Sequence, residues 1–416
     1  MDNDVILDTE YCPRGKHMNA FAEATRLFRW LLTILTVALV TGCGGGGGSG
    51  SSSGTVGVSL TDAPACGFDA VNVTVRQVRV HESSAASDSS GGWADITLNP
   101  PRKINLLDLN NGILESLGET PLPAGHYTQL RLVLVANTGQ NIANSAILSG
   151  TTSEIPLSTP SAVQSGIKLI NSFTVAAGQR TDLVLDFDAC KSIVTRGNGT
   201  YALKPVIRVI PTVLNGIKGF VETSLLASHV MVSAQINGTV VHSTVPNSQT
   251  GEFFLARLAV GTYDVVITAD GHATAVIAAV PVVGDSSIVT ISSSPTPMAL
   301  PSSVSHTISG NVTLDPVSAT EEVAFVAAKQ TVGSGPTVTV KSQGADLLSG
   351  AYNLLLASGA PLLGQYGVGT LPIVLTAQPA VAGHYAVEGS ASGYQTQSFS
   401  TDIAVADATQ DLILVP

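Results

Sequence analysis

Charge is scarce in this chain of 416 residues: Asp, Glu, Lys and Arg together make up 12%. Long charged side chains decorate exposed helices, so their scarcity argues against a helical protein. Aromatic residues are scarcer still at 5%, with two tryptophans. Cations are outnumbered, 19 Lys and Arg against 30 Asp and Glu, for a formal charge of -11. That balance disfavours nucleic acid or an anionic membrane surface as a partner. The most apolar run, Trp30 to Val40, falls short of the about 20 residues a bilayer-spanning helix needs. Catalytic patterns are missing too. No Gly-x-Ser-x-Gly elbow occurs in a strand-turn-helix setting, and the eight His show no His-x-x-x-His spacing. We expect no enzyme and no cofactor.

What the chain does have is small and β-branched. Gly 41, Pro 21 and abundant Val, Thr, Ser and Ala favour short strands and turns. Val56, Val58 and Leu60 alternate with small or polar residues, as do Val71, Val73 and Val75, then Val78 and Val80. Thr61 to Pro64 reads as a turn and Gly112 to Leu117 as a short helical turn. Further strands are expected at Tyr127 to Val135, Ile167 to Val175, Leu183 to Phe187 and Leu203 to Val213. The fold class is all-β: an N-terminal β-rich sandwich or barrel, then two sandwich repeats.

The N-terminus carries an address. Arg26 and Arg29 precede the apolar run, and Val40-Thr41-Gly42 precede Cys43. A basic start, a short apolar core and small residues before a cleavage point make a secretory signal. Residues 1–17, with Asp2, Asp4, Asp8 and Glu10, do not fit such a start, whereas Met18 does. We read 1–17 as a spurious extension that includes Cys12. The Cys after small residues resembles a bacterial lipoprotein signal. That resemblance implies acylation of Cys43, with palmitate, and a membrane partner through the lipid. Gly44 follows Cys43 where an inner-membrane retention signal has Asp, so an outer-membrane place in the cell envelope is expected in a Gram-negative cell. Residues 44–54 form a Gly/Ser spacer, whose reach scales as about 5–6 Å × √n.

Cys66 and Cys190 remain. In an exported protein, parity and compartment suggest one disulfide between them. It would close a loop of about 124 residues, contributing at most roughly 4–5 kcal/mol. Two inert thiols or half of a metal site are the alternatives.

Several separated motifs carry a family resemblance. Val58 to Pro64, Leu122 to Arg131, Asp186 to Ala189 and Leu203 to Arg208 look like the DUF4382 family, a domain of unknown function, over about residues 55–213. The resemblance implies a β-rich extracytoplasmic domain and brings no catalytic residues. Residues 216–294 resemble a carboxypeptidase regulatory-like domain, a transthyretin-like sandwich. The resemblance rests on Gly261-Thr262-Tyr263 followed by Ala269-Asp270-Gly271-His272. After a Ser/Thr/Pro linker at 295–303, residues 304–416 repeat the pattern. Ile308 to Val312 parallels Ile217 to Val221, and Gly383-His384-Tyr385 parallels Gly261-Thr262-Tyr263. This copy carries an insertion around Gly333 to Leu371, read as extra loop or hairpin.

Candidate sites are few. Asp186 and Asp188 flank Phe187 and share a strand face. With Asp62 or Asp69 they could supply the oxygen ligands Ca²⁺ prefers. A solvated face and turn caps are the competing reading, and no Asp-x-Asp-x-Asp-Gly loop supports the ion. Carbohydrate sites want exposed aromatic platforms, and Trp93, Tyr366 and Tyr394 are the exposed candidates. Tyr263 and Tyr385 read as core. His126, His272 and His384 sit beside turn glycines and read as solvated. The function expected is non-catalytic: binding of a glycan or surface partner, or display by a structural spacer. An envelope hydrolase is the distant alternative.

Overall fold

The structure, a computed structural model, describes residues 53–416 apart from 64–66, 140, 198, 211, 213 and 319–321. Its chain makes three β modules. The first contains β1 (Ser53–Ala63), β2 (Phe68–His81), β3 (Ala94–Asn105), β4 (Glu115–Pro123), β5 (Gly125–Leu134), β6 (Ser145–Leu148), β7 (Ile155–Ser158), β8 (Ile167–Val175), β9 (Arg180–Asp188), β10 (Ile193–Thr195), β11 (Tyr201–Leu203) and β12 (Ile207–Ile210). Short helices α1 (Pro160–Gln164) and α2 (Ala189–Ser192) interrupt them. One sheet runs β12-β9-β1-β4. The other runs β10-β11-β7-β6-β2-β5-β8, with β3 also paired to β2.

Valine alternation builds the core between these sheets. Val71, Val73 and Val75 are fully buried, and so are Val78 and Val80. The inward set changes from odd to even numbers because a bulge falls between Val75 and Gln77, inserting one residue into the ladder. The same happens between Tyr127 and Gln129, after which Leu130, Leu132 and Leu134 face inward.

Three local expectations change. Thr61 to Ala63 extends β1, laddered in parallel to Asp186 to Asp188, and so is not a turn. The helical turn lies at Leu106–Leu109, and Glu115 to Leu117 begins β4. The spacer also ends sooner. Ser53 and Gly54 pair with Pro123 and Leu122, and a Cβ on Gly54 would stand 2.4 Å from the Ala176 carbonyl oxygen.

The second module contains β13 (Gly216–Phe220), β14 (Met231–Ile236), β15 (Thr239–Thr244), β16 (Glu252–Ala256), β17 (Gly261–Thr268), β18 (Ala275–Val282) and β19 (Ile288–Thr290). The third contains β20 (Ser305–Leu314), β21 (Phe325–Thr331), β22 (Thr337–Gly344), β23 (Ala351–Ala357), β24 (Leu362–Gln365), β25 (Thr376–Ala377), β26 (His384–Ser390), β27 (Gln397–Asp402), β28 (Ala408–Thr409) and β29 (Leu412–Leu414). Tyr263 and Tyr385 are buried at equivalent turns, each hydroxyl donating to a backbone carbonyl, of Ala259 and Ala357.

The modules interlock more than a linear array would. Strand β24 leaves its own module and pairs in parallel with β18, so the second module's sheet reads β15-β14-β17-β18-β24-β25. Ile373 is buried in the second core, and Tyr366 and Leu375 pack against it. Within the insertion, β22 and β23 pair with β21 and β20 of the third module, and only its β24 end becomes a structural part of the second. Residues 295–303 are likewise no free linker. Met298 and Leu300 are buried in the second core, and the Met298 N–H donates to the Phe220 carbonyl at 2.7 Å.

Candidate functional site

Each module touches both others. Asn111, left-handed at φ 54°, reaches from the first module into the second. Its side-chain oxygen accepts from the Thr244 hydroxyl and the Phe254 N–H, both at 3.0 Å. Asp186 on β9 meets His242 on β15 at 3.4 Å, both buried. First and third modules join where the Gly197 N–H donates to Asp346 at 2.7 Å and Val194 packs with Val323. Second and third join where the Gln235 amide pairs with the Thr339 backbone.

Between these seams lies a cleft of about 940 Å³, a size suited to a small ligand. The first module supplies Phe68, Asp188, Lys191 and Tyr201. The second supplies His229, Asp270 and His272, and the third Lys341, Ser342 and Asn353. Phe68 and Tyr201 meet edge to face with centroids 6.1 Å apart. His229 ends the helical turn Thr223–Ser228 in the left-handed region, φ 48°, a conformation uncommon for a residue with a Cβ. This brings its Nδ1 2.9 Å from Asp270 Oδ2. Lys341 Nζ donates to the Leu355 carbonyl and stands 3.9 Å from Asp270 Oδ1. Asp188 caps α2 through the Lys191 N–H and pairs with Lys191 Nζ at 3.0 Å. His272 Nδ1 lies 2.9 Å from the Asp270 carbonyl oxygen.

The cleft lies at a defined end of the first module. Strand β1 is 11 residues long, about 33 Å at about 3.3 Å per residue. Ser53, where the chain enters, is at one end. At the other, Asp62 Oδ1 accepts from the Ala189 N–H, next to Cys190 at the cleft wall.

The expected calcium set does not assemble. Register places Asp62 beside Phe187 on the core-facing side of the sheet, with Asp186 and Asp188 on the other. Asp186 engages His242 and Asp188 engages Lys191. Among the described residues, no three His, Cys, Asp or Glu side chains converge on a cation site. Asp69 accepts from the Gly150 N–H instead.

The expected aromatic platforms are also occupied. Trp93 is half-buried, with Arg79 4.7 Å and Arg131 5.0 Å from its ring centre, and its indole N–H donates to the Ser87 carbonyl. Those cations pack against the ring, whose indole hydrogen bond pins the Ser-rich loop at 82–92. Tyr366 is half-buried against the second core. Tyr394 packs against the third, its hydroxyl donating to the Pro316 carbonyl at 2.6 Å. None of the three is freely exposed. His126 and His384 are exposed, whereas His272 lines the cleft.

Cys190 is disulfide-bonded. Cys43 and Cys66 lie outside the described residues. The residues sequence reading missed, Tyr201, His229, Lys341 and Asn353, come from three modules and share no motif.

The parallel β1–β9 ladder beside β4 completes the frame of the first module. Residues 53–205 match the model of DUF4382, a domain of unknown function. The match ends before β12, yet β12 pairs with β9 and completes the DUF4382 module's sheet. No curated protein matches the chain in sequence. Among solved structures the chain is similar to the Bacillus anthracis TIE protein, at 10% identity and TM-score 0.17. That alignment covers 87% of this chain and 50% of the other, so the chain spans about half the length of that relative. It is similar to a streptococcal ancillary pilin at 10% identity and TM-score 0.16, covering 88% of this chain and 99% of that one. The Corynebacterium diphtheriae major pilin SpaA aligns at 11% identity and TM-score 0.19, covering 87% and 100%. Likenesses this remote assign no function to the DUF4382 module or to its neighbours.

Proposed function

We propose that this is a non-catalytic binding protein of the cell envelope, anchored by a lipid on Cys43, whose ligand enters the three-module cleft. The observation carrying this reading is the position of the cleft. It sits about 33 Å along β1 from Ser53. The ligand in this reading is a glycan or a surface partner that enters the cleft from solvent. The Cys66–Cys190 disulfide belongs to the same proposal, since it ties the chain beside the cleft wall.

A pure spacer would string its modules end to end. Here each module is bonded to both others, and the bonds enclose a concave junction. Binding is the better reading of that geometry.

Membrane fractionation tests the anchor: Cys43→Ser moves the protein from the membrane to the soluble fraction. Adhesion of cells carrying Ser342→Trp, which places a bulky ring in the cleft, to glycan-coated and protein-coated surfaces tests the site. Equal adhesion by the variant and the native protein defeats the reading.

A further inference from the structure

The charged groups of the cleft are engaged with one another. Asp188 holds Lys191 at 3.0 Å, and Asp270 holds His229 at 2.9 Å with Lys341 at 3.9 Å. With Asp69 at the rim, three carboxylates stand against two ammonium groups and the Arg208 guanidinium, 4.0 Å from Asp188 Oδ2. An incoming anion meets no uncommitted cation and would have to compete with a carboxylate for each one, which costs affinity. The chain's overall charge of -11 acts in the same direction at longer range.

The polar groups still available are neutral. The Tyr201 hydroxyl, the Asn353 carboxamide and the Ser342 hydroxyl line the cleft, and none is hydrogen-bonded to another described residue. Beside them, the Phe68–Tyr201 pair makes part of the first module's wall aromatic. The cleft therefore offers neutral donors and acceptors next to flat apolar rings. Saccharides answer that combination: their hydroxyls match the former and their C–H faces the latter.

We infer that the cleft takes a neutral saccharide, seated between Phe68 and Tyr201 on one wall and Ser342 and Asn353 on the other. This rests on the binding reading above and adds the ligand's charge class and the residues that select it. Acidic glycans are disfavoured because the cations of the cleft are already paired with carboxylates.

Titration calorimetry of the chain from Cys43 to Pro416 against two probe sets tests this. One set is neutral (mannan, β-glucan and N-acetylglucosamine oligomers) and the other acidic (hyaluronate and polygalacturonate). At least one neutral probe binds, and the acidic probes bind at least about tenfold more weakly, the equivalent of about 1.4 kcal/mol. Tyr201→Phe and Asn353→Ala each weaken the neutral probe by about 5–10-fold, the scale of one lost hydrogen bond, with melting temperature unchanged. Tyr201→Phe keeps the ring, so misfolding does not obscure the result. Acidic probes binding as well as neutral ones overturns the charge class. Neutral binding indifferent to both substitutions overturns the site. No binding to either set overturns the saccharide, while the envelope-display reading is decided separately, by whether Cys43→Ser releases the protein and Ser342→Trp abolishes adhesion.

Discussion

The buried side-chain amide of Gln235 makes both hydrogen bonds that a neighbouring strand would make to Thr339. Its Nε2 donates to the Thr339 carbonyl at 2.7 Å, and its Oε1 accepts from the Thr339 N–H at 2.8 Å. The Thr339 hydroxyl closes the contact by donating to the Gly238 carbonyl at 2.6 Å. Strand β22 is the edge of its sheet, β22-β21-β26-β27, which leaves the outer side of Thr339 open to this pairing.

Gln235→Leu leaves the Thr339 N–H and carbonyl buried without partners. Stranding two such groups costs about 2–5 kcal/mol. We expect a lower denaturation midpoint for the second and third modules, with the first least affected. Hydrogen exchange measures this: the Thr339 amide loses protection before those of β2. An unchanged midpoint counts against the contact as the seam between these modules.

Trp93 gives a prediction in which stability and binding separate. Its ring packs against Arg79 and Arg131, cross-strand partners on one face of the sheet, and such cation–π contacts contribute about 0.5–2 kcal/mol each. Trp93→Ala should cost roughly 2–4 kcal/mol in thermal unfolding, as expected for loss of a large packed ring. It should also loosen the loop at 82–92 to proteases. Glycan binding should stay the same, because Trp93 does not line the cleft. Loss of binding without loss of stability would restore Trp93 as a ligand platform.

Asp346 links the third module to the first and makes that seam sensitive to acid. Burial raises its pKa, but the Ser349 N–H, the Thr195 hydroxyl, the Leu348 N–H and the Ser349 hydroxyl outweigh that and hold it at about 2. Its folded value lies below the ordinary 3.8, so the unfolded chain takes up the proton first. The contribution is complete above about pH 4 and is lost as pH falls through about 2. Asp346→Asn should therefore melt below the native protein at pH 7, with the gap narrowing toward pH 2. A gap that is constant with pH would remove Asp346 from the acid response.

Much of the first module was legible because its signals are local. Each valine's neighbours in sequence determine which face it takes, and the change of parity between Val75 and Val78 marks the bulge. The buried tyrosines followed from Gly-x-Tyr turns in the same way. The cleft was not legible. Tyr201, His229 and Lys341 meet only because three modules close on one another, and no periodicity encodes that closure. Trp93 misled for a related reason. Its polar loop suggested exposure, whereas Arg79 lies on β2 and Arg131 on β5, both distant from Trp93 in sequence. The insertion was visible as extra length, but a parallel strand crossing to another module leaves no pattern at the recipient strand.

That crossing strand carries the last prediction. Residues 362–365 pair with Ala275 to Ala278 along β18, and Ile373, Leu375 and Tyr366 complete the second core. A fragment of residues 214–303 lacks all of them. It exposes the apolar edge of β18, a template for pairing with other chains, and opens its core where Ile373 lies. We expect this fragment to aggregate or to remain without a cooperative transition, whereas residues 214–416 unfold in one. Calorimetry and size-exclusion chromatography of both fragments decide the matter. Adding a peptide of residues 358–380 to the shorter one should recover part of its structure. A stable, monomeric 214–303 fragment with a sharp transition would mean that β24 decorates the second module without completing it.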